Sequence, residues 1–446
     1  MASVSNNEVI EIFKRVYGKT YDLVPDDQQL SKDIPWVEGD RVGDDFREDV
    51  ILGDEVGVTL GGSGQECFDI NPAIAGNVKQ TSVQPYVMML PSILPFATIS
   101  RSLGDDQAFL RSTQFITKNN LKSHERFQET MRFYGQASKL LGYTSYFTGT
   151  YRTVSFTNGT GTMNGVTFTN GINAASKLIL FSPGDFASGI WIGRKGMRIA
   201  QVDGNGVIVA SGKLVSVQSK YGYIGVDFTP VAPSAATGAN SLRLCLVDQV
   251  ALGEMVGMYK ILSTQTGSLF GIPVQTFELF RGNFIDYKAS GGPGVKLTLG
   301  RLQDAIADAV NGGGLEGDLT CYVNPLNWAT VSTTEAALRV YDKSYTPNSA
   351  QNGFKDVEYY SQNGKITIKA HRQVMEGDAF VTKSGTWKRS GSAQPGFKVP
   401  GIDHELIRML ENQAGFQFKS FSDEYLFTPE PAQNILITGL NPESAS

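Results

Sequence analysis

The residue types that carry out chemistry are present in this chain, but not at the spacings chemistry requires. His124, His371 and His404 are far apart, and none belongs to an HxxxH or HxH pair that would turn two imidazoles toward one metal ion. Asp203-Gly204-Asn205-Gly206 is similar to the start of a calcium loop, but the sixth position of that frame is Ile208 where glycine is required. A hairpin turn is the expectation there. No serine has glycine two residues before and two after it, so there is no nucleophile elbow. Gly61-Gly62-Ser63-Gly64 lacks the lysine and the following helix of a phosphate loop, and Gly312-Gly313-Gly314 ends a helical pattern. Both read as turns. The pairs Asp44-Asp45 and Asp105-Asp106 are expected to cap helices or solvate loops. Trp36, Trp191, Trp328 and Trp387 are scattered, as core or interface anchors are. Arg194, Lys195 and Arg198 form a small basic cluster that reads as a solvated turn. No catalytic, metal or cofactor site is expected.

Composition narrows the class. The 446 residues allow two or three domains, each with a core. Hydrophobic residues make up 41%, aromatic residues 10% and charged residues 19%, as in ordinary folded proteins. The 49 glycines exceed the usual share of roughly 7%, which favours many turns and much β-structure. A net charge of -5 lacks the basic footprint of a dedicated nucleic-acid binder. Cys67, Cys245 and Cys321 form no CxxC pair and imply reduced, cytosolic synthesis. The first residues have neither a basic nor an apolar signal region. Tyr86 to Ile99 is apolar but interrupted by Pro91 and Pro95, and is shorter than the ~20 residues of a membrane span. A soluble protein is expected.

The elements that must carry these residues are mixed. Asn7 to Tyr17 reads as a short helix, and Asp22 to about Asp45 is polar and aperiodic. Phe46 to Ile99 reads as a long, partly β hairpin, with Val50-Ile51-Leu52 and Val56-Gly57-Val58-Thr59-Leu60 flanking Gly53-Asp54. Such a hairpin gains stability only by packing on a neighbour. From Asp106 to Leu141, Phe127, Met131, Tyr134 and Leu141 fall at helical spacing, widened by Phe133, Ala137 and Leu140. That stripe is expected to face the core, with Glu129 and Arg132 paired at i,i+3 on the wet face. Gly142 suits the stop, and Gly135 is where a break would fall. Between Ser145 and Asp248 the period becomes two, and Asn158-Gly159, Asn164-Gly165 and Asn170-Gly171 are hairpin turn signals. Further on, Leu299, Leu302, Ile306 and Val310 form one helix face.

The last quarter is the most distinctive. A strand at Thr320 to Val323 enters Asn324-Pro325-Leu326-Asn327-Trp328. Tyr359-Tyr360-Ser361-Gln362-Asn363-Gly364-Lys365 is a hairpin signal, followed by His371-Arg372-Gln373-Val374-Met375-Glu376-Gly377-Asp378. The chain closes on Phe421-Ser422-Asp423-Glu424-Tyr425-Leu426-Phe427, Pro429, Pro431 and the apolar Ile435 to Ile437. In this order the pieces resemble the A and P domains of a tailed-bacteriophage major capsid protein of the Hong Kong 97 type.

The resemblance implies an α+β Hong Kong 97-like capsid fold. Its parts would be an N-terminal arm at 1–45, an E-loop hairpin at 46–99, and a P domain at 100–145 and 353–382 built on a long spine helix. The A domain would be 249–352 and 383–446, with an inserted all-β barrel or sandwich at 146–248. It implies a structural protein, not an enzyme, that joins copies of itself into pentamers and hexamers of an icosahedral shell. The shell would enclose phage double-stranded DNA without sequence-specific binding, in the virion, after synthesis in the host cytoplasm. A separate scaffolding protein, a portal and a decoration protein would be partners; no cofactor or membrane is implied. The contacts it points to are Val56, Val58, Leu60 and Lys79 in the hairpin, Phe127 and Met131 on the spine, and Gly312, Gly313 and Gly314 at the capsomer centre. Some relatives crosslink Lys to Asn; Lys79 is the sole lysine of the hairpin reading, and no partner is located. On residues alone, a β-rich carbohydrate-binding or carbohydrate-active protein and a tail or baseplate protein stay open.

Overall fold

The computed structural model describes residues 29–38, 41–42, 45–61, 63, 69–95, 106–137, 142–145, 153–155, 160–163, 166–169, 177–180, 193–203, 206–218, 223–229, 241–247, 253–287, 294–336, 357–361, 364–397, 407–409 and 415–441.

A six-stranded mixed sheet runs in the order Asn283–Asp286, Ile435–Thr438, Ala379–Lys383, Leu319–Val323, Gly364–Ala370, Val357–Ser361. Its central strands, Leu319–Val323, Ala379–Lys383 and Ile435–Thr438, are mostly apolar and buried because both faces are covered there. Cys321, Val323, Ala379, Val381, Ile435 and Ile437 pack with Leu302, Ala305, Ile306 and Ala309 of the helix Leu299–Gly313. The alternate residues Tyr322, Phe380 and Leu436 enter a second core, with Phe133 and Tyr134. The helix Leu299–Gly313 presents the expected face, with Leu302 and Ile306 buried and Leu299 and Val310 packed at its margin. The Thr298 hydroxyl accepts from the Arg301 amide to cap its start, and Gly314 ends it in the left-handed conformation. The hairpin expected around Gln362-Asn363 forms, with Ser361 opposite Gly364. Hydrogen bonding thus joins strands within 353–382 to strands within 249–352 and 383–446, across the division drawn from the sequence.

The second sheet is built on one long strand, Gly415–Phe427. Tyr86–Pro95 pairs with it along one edge, and Lys388–Gly396 and Ile407–Met409 along the other. Tyr86–Pro95 therefore belongs to this sheet and not to the hairpin that precedes it. That hairpin closes at its root through Phe46 and Val83, which exchange two backbone hydrogen bonds. Its ladder pairs Asp49–Gly53 with Asn77–Gln80. Period two divides its first strand: Val50 and Leu52 are buried in the core while Ile51 between them is exposed.

A 29-residue helix, Asp106–Tyr134, about 43 Å long, contacts both long strands of this sheet. It stops at Gly135, seven residues before the glycine expected to stop it. The cause is a backbone crossing: the Gly257 amide donates to the Gly135 carbonyl at 3.1 Å. A Cβ on Gly135 would stand 2.1 Å from the Met255 carbonyl oxygen. Gly142 instead begins a strand.

Between 142 and 246 lies a seven-stranded antiparallel sheet with the order Gly142–Ser145, Ser241–Leu246, Arg198–Val202, Ile208–Gln218, Tyr223–Val226, Lys177–Leu180, Thr153–Ser155. Its first strand pairs with its last in sequence, so the segment departs and returns at neighbouring positions. Ile199, Leu214, Ile224, Val226 and Leu244 form its core, against which Phe127 of the long helix packs. Thr160–Met163 and Val166–Thr169 make a separate hairpin around Asn164-Gly165. Asn158-Gly159 and Asn170-Gly171 lie outside the described residues, as does the short helix read at Asn7 to Tyr17.

Gly135→Ala is expected to cost more than about 2 kcal/mol, because its methyl group meets backbone that cannot rotate away. Chemical denaturation of the variant checks this; an unchanged midpoint would contradict the crossing.

Candidate functional site

Two features stand out: a buried polar network under the long helix, and an apolar hairpin with no cover. The network is centred on Arg132. Its Nε and Nη2 donate to the two oxygens of Glu424 at 2.7 and 2.8 Å. Its Nη1 donates to Glu129 Oε2 at 3.0 Å and to the Ser31 hydroxyl, and Nη2 also reaches Gln128 Oε1 at 3.2 Å. All five guanidinium N–H groups are thereby used. Arg132, Glu129 and Glu424 are almost completely shielded from solvent. Burial opposes the charge on Arg132, but Glu424 and Glu129 hold it even more firmly protonated than usual.

Glu129 in turn grips the residues just before it in space. Its Oε1 accepts from the Leu30 amide at 2.5 Å, and its Oε2 from the Ser31 amide at 3.2 Å and the Ser31 hydroxyl at 2.8 Å. Burial alone would raise this carboxyl; His371, Arg132 and Ser31 together hold it below the ordinary range. His371 Nδ1 accepts from the Gln373 amide, so its proton sits on Nε2, which donates to Glu129 at 3.2 Å. Arg389 closes the other end of the 29–34 turn, donating to the carbonyls of Ser31 and Ile34 at 2.7 and 2.9 Å. Asp33 accepts from Tyr322 and Lys369 at 2.7 and 2.8 Å. Residues 29–37 are thus tied to the long helix, to the six-stranded sheet and, through Trp36 and Val37 beside Arg389, to the second sheet.

This overturns the expectation that Glu129 and Arg132 pair in water. They do pair, but on the covered face, because the strand opposite carries Ser420, Ser422 and Glu424 where an apolar stripe would have needed leucines. His124 lies between Ser420 and Ser422 at 2.8 and 2.7 Å, and burial and the Arg132 charge push its imidazole down to about 4. The sequence did hold a signal: Ser420, Ser422 and Glu424 fall on one face of the strand, with Phe421, Asp423 and Tyr425 on the other.

Of the residues singled out in advance, Val56, Val58 and Leu60 lie together on the hairpin, and Val58 and Leu60 are 77% and 89% exposed. Ile51, Ile70, Ile74 and Val78 extend the same uncovered apolar segment. Lys79 is exposed, its backbone opposite Val50 in the ladder. Phe127 and Met131 are half-buried and distant in sequence and packing from the hairpin tip; Phe127 serves the seven-stranded sheet. Gly313 and Gly314 have intramolecular reasons. A Cβ on Gly313 would meet the Ala432 carbonyl at 2.3 Å, and Gly314 is the helix cap. Gly312 is exposed.

Asn324 and Asn327, prominent in the sequence, are structural ties. Asn324 accepts from the Leu326 amide to start the helix Pro325–Ala336, and both side chains donate to carbonyls of the 374–376 turn. Trp387 is buried with its N–H on Asn434, Trp328 packs against the helix-side core, and Trp191 and His404 lie outside the described residues. Burial pushes the Cys321 thiol up to about 12. Among the described residues no group of three His, Cys, Asp or Glu side chains is placed to hold a metal, and no helix is long and apolar enough to cross a membrane.

Against solved structures the architecture matches the Cyanophage A-1(L) capsid asymmetric unit, with a TM-score of 0.51 over 95% of this chain and 96% of that one, at 10% identity. The chain has the Hong Kong 97-like capsid fold. Weaker similarity extends to the capsid of the native GTA particle, at TM-score 0.44 and 8% identity over 95% of this chain and 94% of that one. Mycobacterium phage Adephagia gives TM-score 0.41 and 9% identity over 98% of each chain. The fold assignment rests on the first of the three. No family model and no curated protein sequence matches.

Arg132→Met should cost about 3–5 kcal/mol in chemical denaturation, since it leaves two buried carboxylates without their counter-charge. Arg281→Met, which breaks an exposed pair with Glu278, should cost under about 1 kcal/mol. Equal losses would mean the network is not the anchor described. A second expectation concerns acid. The unfolded chain protonates His124 near 6.5 and the folded chain only near 4, so its stabilising contribution is complete above pH 6.5. It falls progressively to pH 4, by roughly 3 kcal/mol in all. His124→Gln should flatten the stability profile across that window, as measured by denaturation at several pH values.

Proposed function

We propose that this chain is a structural shell protein that assembles with copies of itself into pentamers and hexamers of an icosahedral phage capsid, enclosing double-stranded DNA. The observation that carries the reading is the capsid fold extending over 95% of the chain. The hairpin supports it: a monomer gains nothing from leaving Val56, Val58, Leu60, Ile70 and Ile74 in water, whereas a neighbouring subunit would cover them. At about 25 cal/mol per Å² of apolar area, contacts repeated over a closed shell add up quickly. On this reading 46–83 is the E-loop, Asp106–Tyr134 the spine helix and 29–37 the anchored end of the arm. The six-stranded sheet forms the A domain, and the Gly415–Phe427 sheet with the spine forms the P domain. The segment 142–247 is an inserted β domain. The role is structural and not enzymatic, the place is the virion after synthesis in the host cytoplasm, and a separate scaffolding protein, a portal and a decoration protein are the partners to seek.

Deletion of Gly53 to Lys79 is expected to leave a folded protein that no longer forms shells. Its root residues Phe46, Val50, Leu52 and Val83 are the ones in the core, so the finer variant Val58→Glu with Leu60→Glu should do the same with stability unchanged within about 0.5 kcal/mol. Negative-stain microscopy of wild type and variants, each with and without the neighbouring scaffold gene product, reads this out. Closed shells from wild type only are expected. Shells from the deletion would remove the hairpin from the mechanism, and wild-type rings or tubes would move the protein to the tail.

A further inference from the structure

The inserted sheet differs in charge from everything around it. Residues 142–247 contain eight Lys and Arg (Arg152, Lys177, Arg194, Lys195, Arg198, Lys213, Lys220 and Arg243), three Asp and no Glu, a net charge of +5. The chain as a whole is -5, with 39 basic and 44 acidic residues, so the rest carries 31 against 41, or -10. An asymmetry of this kind within one protein points to a polyanionic partner for the basic part.

The structure concentrates part of that charge at one place. Arg194 to Met197 is a tight turn, the Met197 amide donating to the Arg194 carbonyl at 3.1 Å, with Gly196 at φ 92. The turn leads directly into Arg198–Val202, where Arg198 stands opposite Lys213 in the antiparallel ladder. Arg194, Lys195, Arg198 and Lys213 are all exposed. Directly opposed residues on neighbouring strands hold their Cβ atoms about 4.5–5.5 Å apart, and like charges placed so are destabilising. The Asp227 carboxylate accepts from the Lys213 backbone amide at 2.5 Å. Among the described residues no carboxylate forms an ion pair with Lys195, Arg198 or Lys213. Within the sheet Arg198 and Lys213 are crowded together, with Lys195 on the adjoining turn, and a row of phosphates would match them.

We propose that the Arg194–Arg198 turn and Lys213 form a binding surface for the sugar-phosphate backbone of double-stranded DNA, read without regard to sequence. This rests on the capsid reading, which places DNA and no other phosphate polymer against the shell, and it adds that the inserted sheet faces the lumen. The contacts are electrostatic and add no base-edge recognition.

The test is fluorescence anisotropy of a labelled duplex of about 30 base pairs titrated with the full chain. Four phosphate contacts predict affinity falling roughly 100-fold between about 50 and 200 mM salt, equally for duplexes of unrelated sequence. The variant R194Q/K195Q/R198Q/K213Q is expected to lose at least about 10-fold, while R281Q, a half-buried cation outside the sheet, retains wild-type affinity. Absence of binding, or equal loss in R281Q, overturns the proposal, as does binding of an acidic polysaccharide with none of DNA, which would turn the surface outward. Microscopy of the fourfold variant separates this from the parent reading: shells that form normally but release or fail to retain labelled DNA support the surface. A wild-type chain that never assembles counts against the capsid reading and leaves the titration to stand by itself.

Discussion

The constraint on which this molecule depends is a single guanidinium placed where water cannot reach it. A buried cation is tolerable only if every donor is satisfied and its charge is matched. Arg132 achieves this by drawing on three separate stretches of chain: Ser31, the helix residues Gln128 and Glu129, and Glu424 across the sheet. The geometry leaves little freedom. The long helix cannot slide or rotate on the Gly415–Phe427 strand without breaking a bidentate ion pair, and residues 29–34 cannot leave without stripping Glu129 of three donors. Such a network contributes uniqueness of arrangement more than net stability, since an apolar core would have been as stable and less particular.

Around that fixed point the fold separates rigid from available surface. The two cores pack the six-stranded sheet from both sides and enclose the hairpin root, while the hairpin beyond Gly53 has backbone pairing but no apolar cover. The single chain thus holds its frame tightly and leaves one ribbon apolar and exposed.

Much of this was legible in the residues, unevenly. Periodicity located the helix Leu299–Gly313, its glycine stop, the Ser361/Gly364 hairpin and the β-rich segment, because each depends on local turn chemistry and one-sided burial. The exposed Val58 and Leu60 were also foreseeable, since alternating apolar residues beside a Gly-rich tip have no partner nearby. Two things were not. The helix was read as burying Phe127, Met131, Phe133, Tyr134 and Ala137; the last three are buried, but so are His124, Gln128, Glu129 and Arg132, and a polar face is buried only if the opposing strand supplies partners, a pairing that here spans almost 300 residues. The break at Gly135 was marked by the glycine itself, although the backbone meeting with Gly257 that enforces it was not. Sheet membership across 283–438 was missed for the same reason: parallel neighbours are joined by long crossovers, and sequence order says little about which strands lie side by side.

The long strand Gly415–Phe427 has a mechanical meaning as well. It spans about 43 Å at the rise of an extended chain, with Tyr86–Pro95 bonded along one edge and Lys388–Gly396 and Ile407–Met409 along the other. Ladder hydrogen bonds lie across the strand direction, so a pull along its axis loads them in shear and all at once, whereas a pull across it would open them one after another. A sheet of this form is stiff in one direction and yielding in the perpendicular one. This sheet therefore resists stretch anisotropically, in the manner of a fibre-reinforced panel whose grain is set by a single strand.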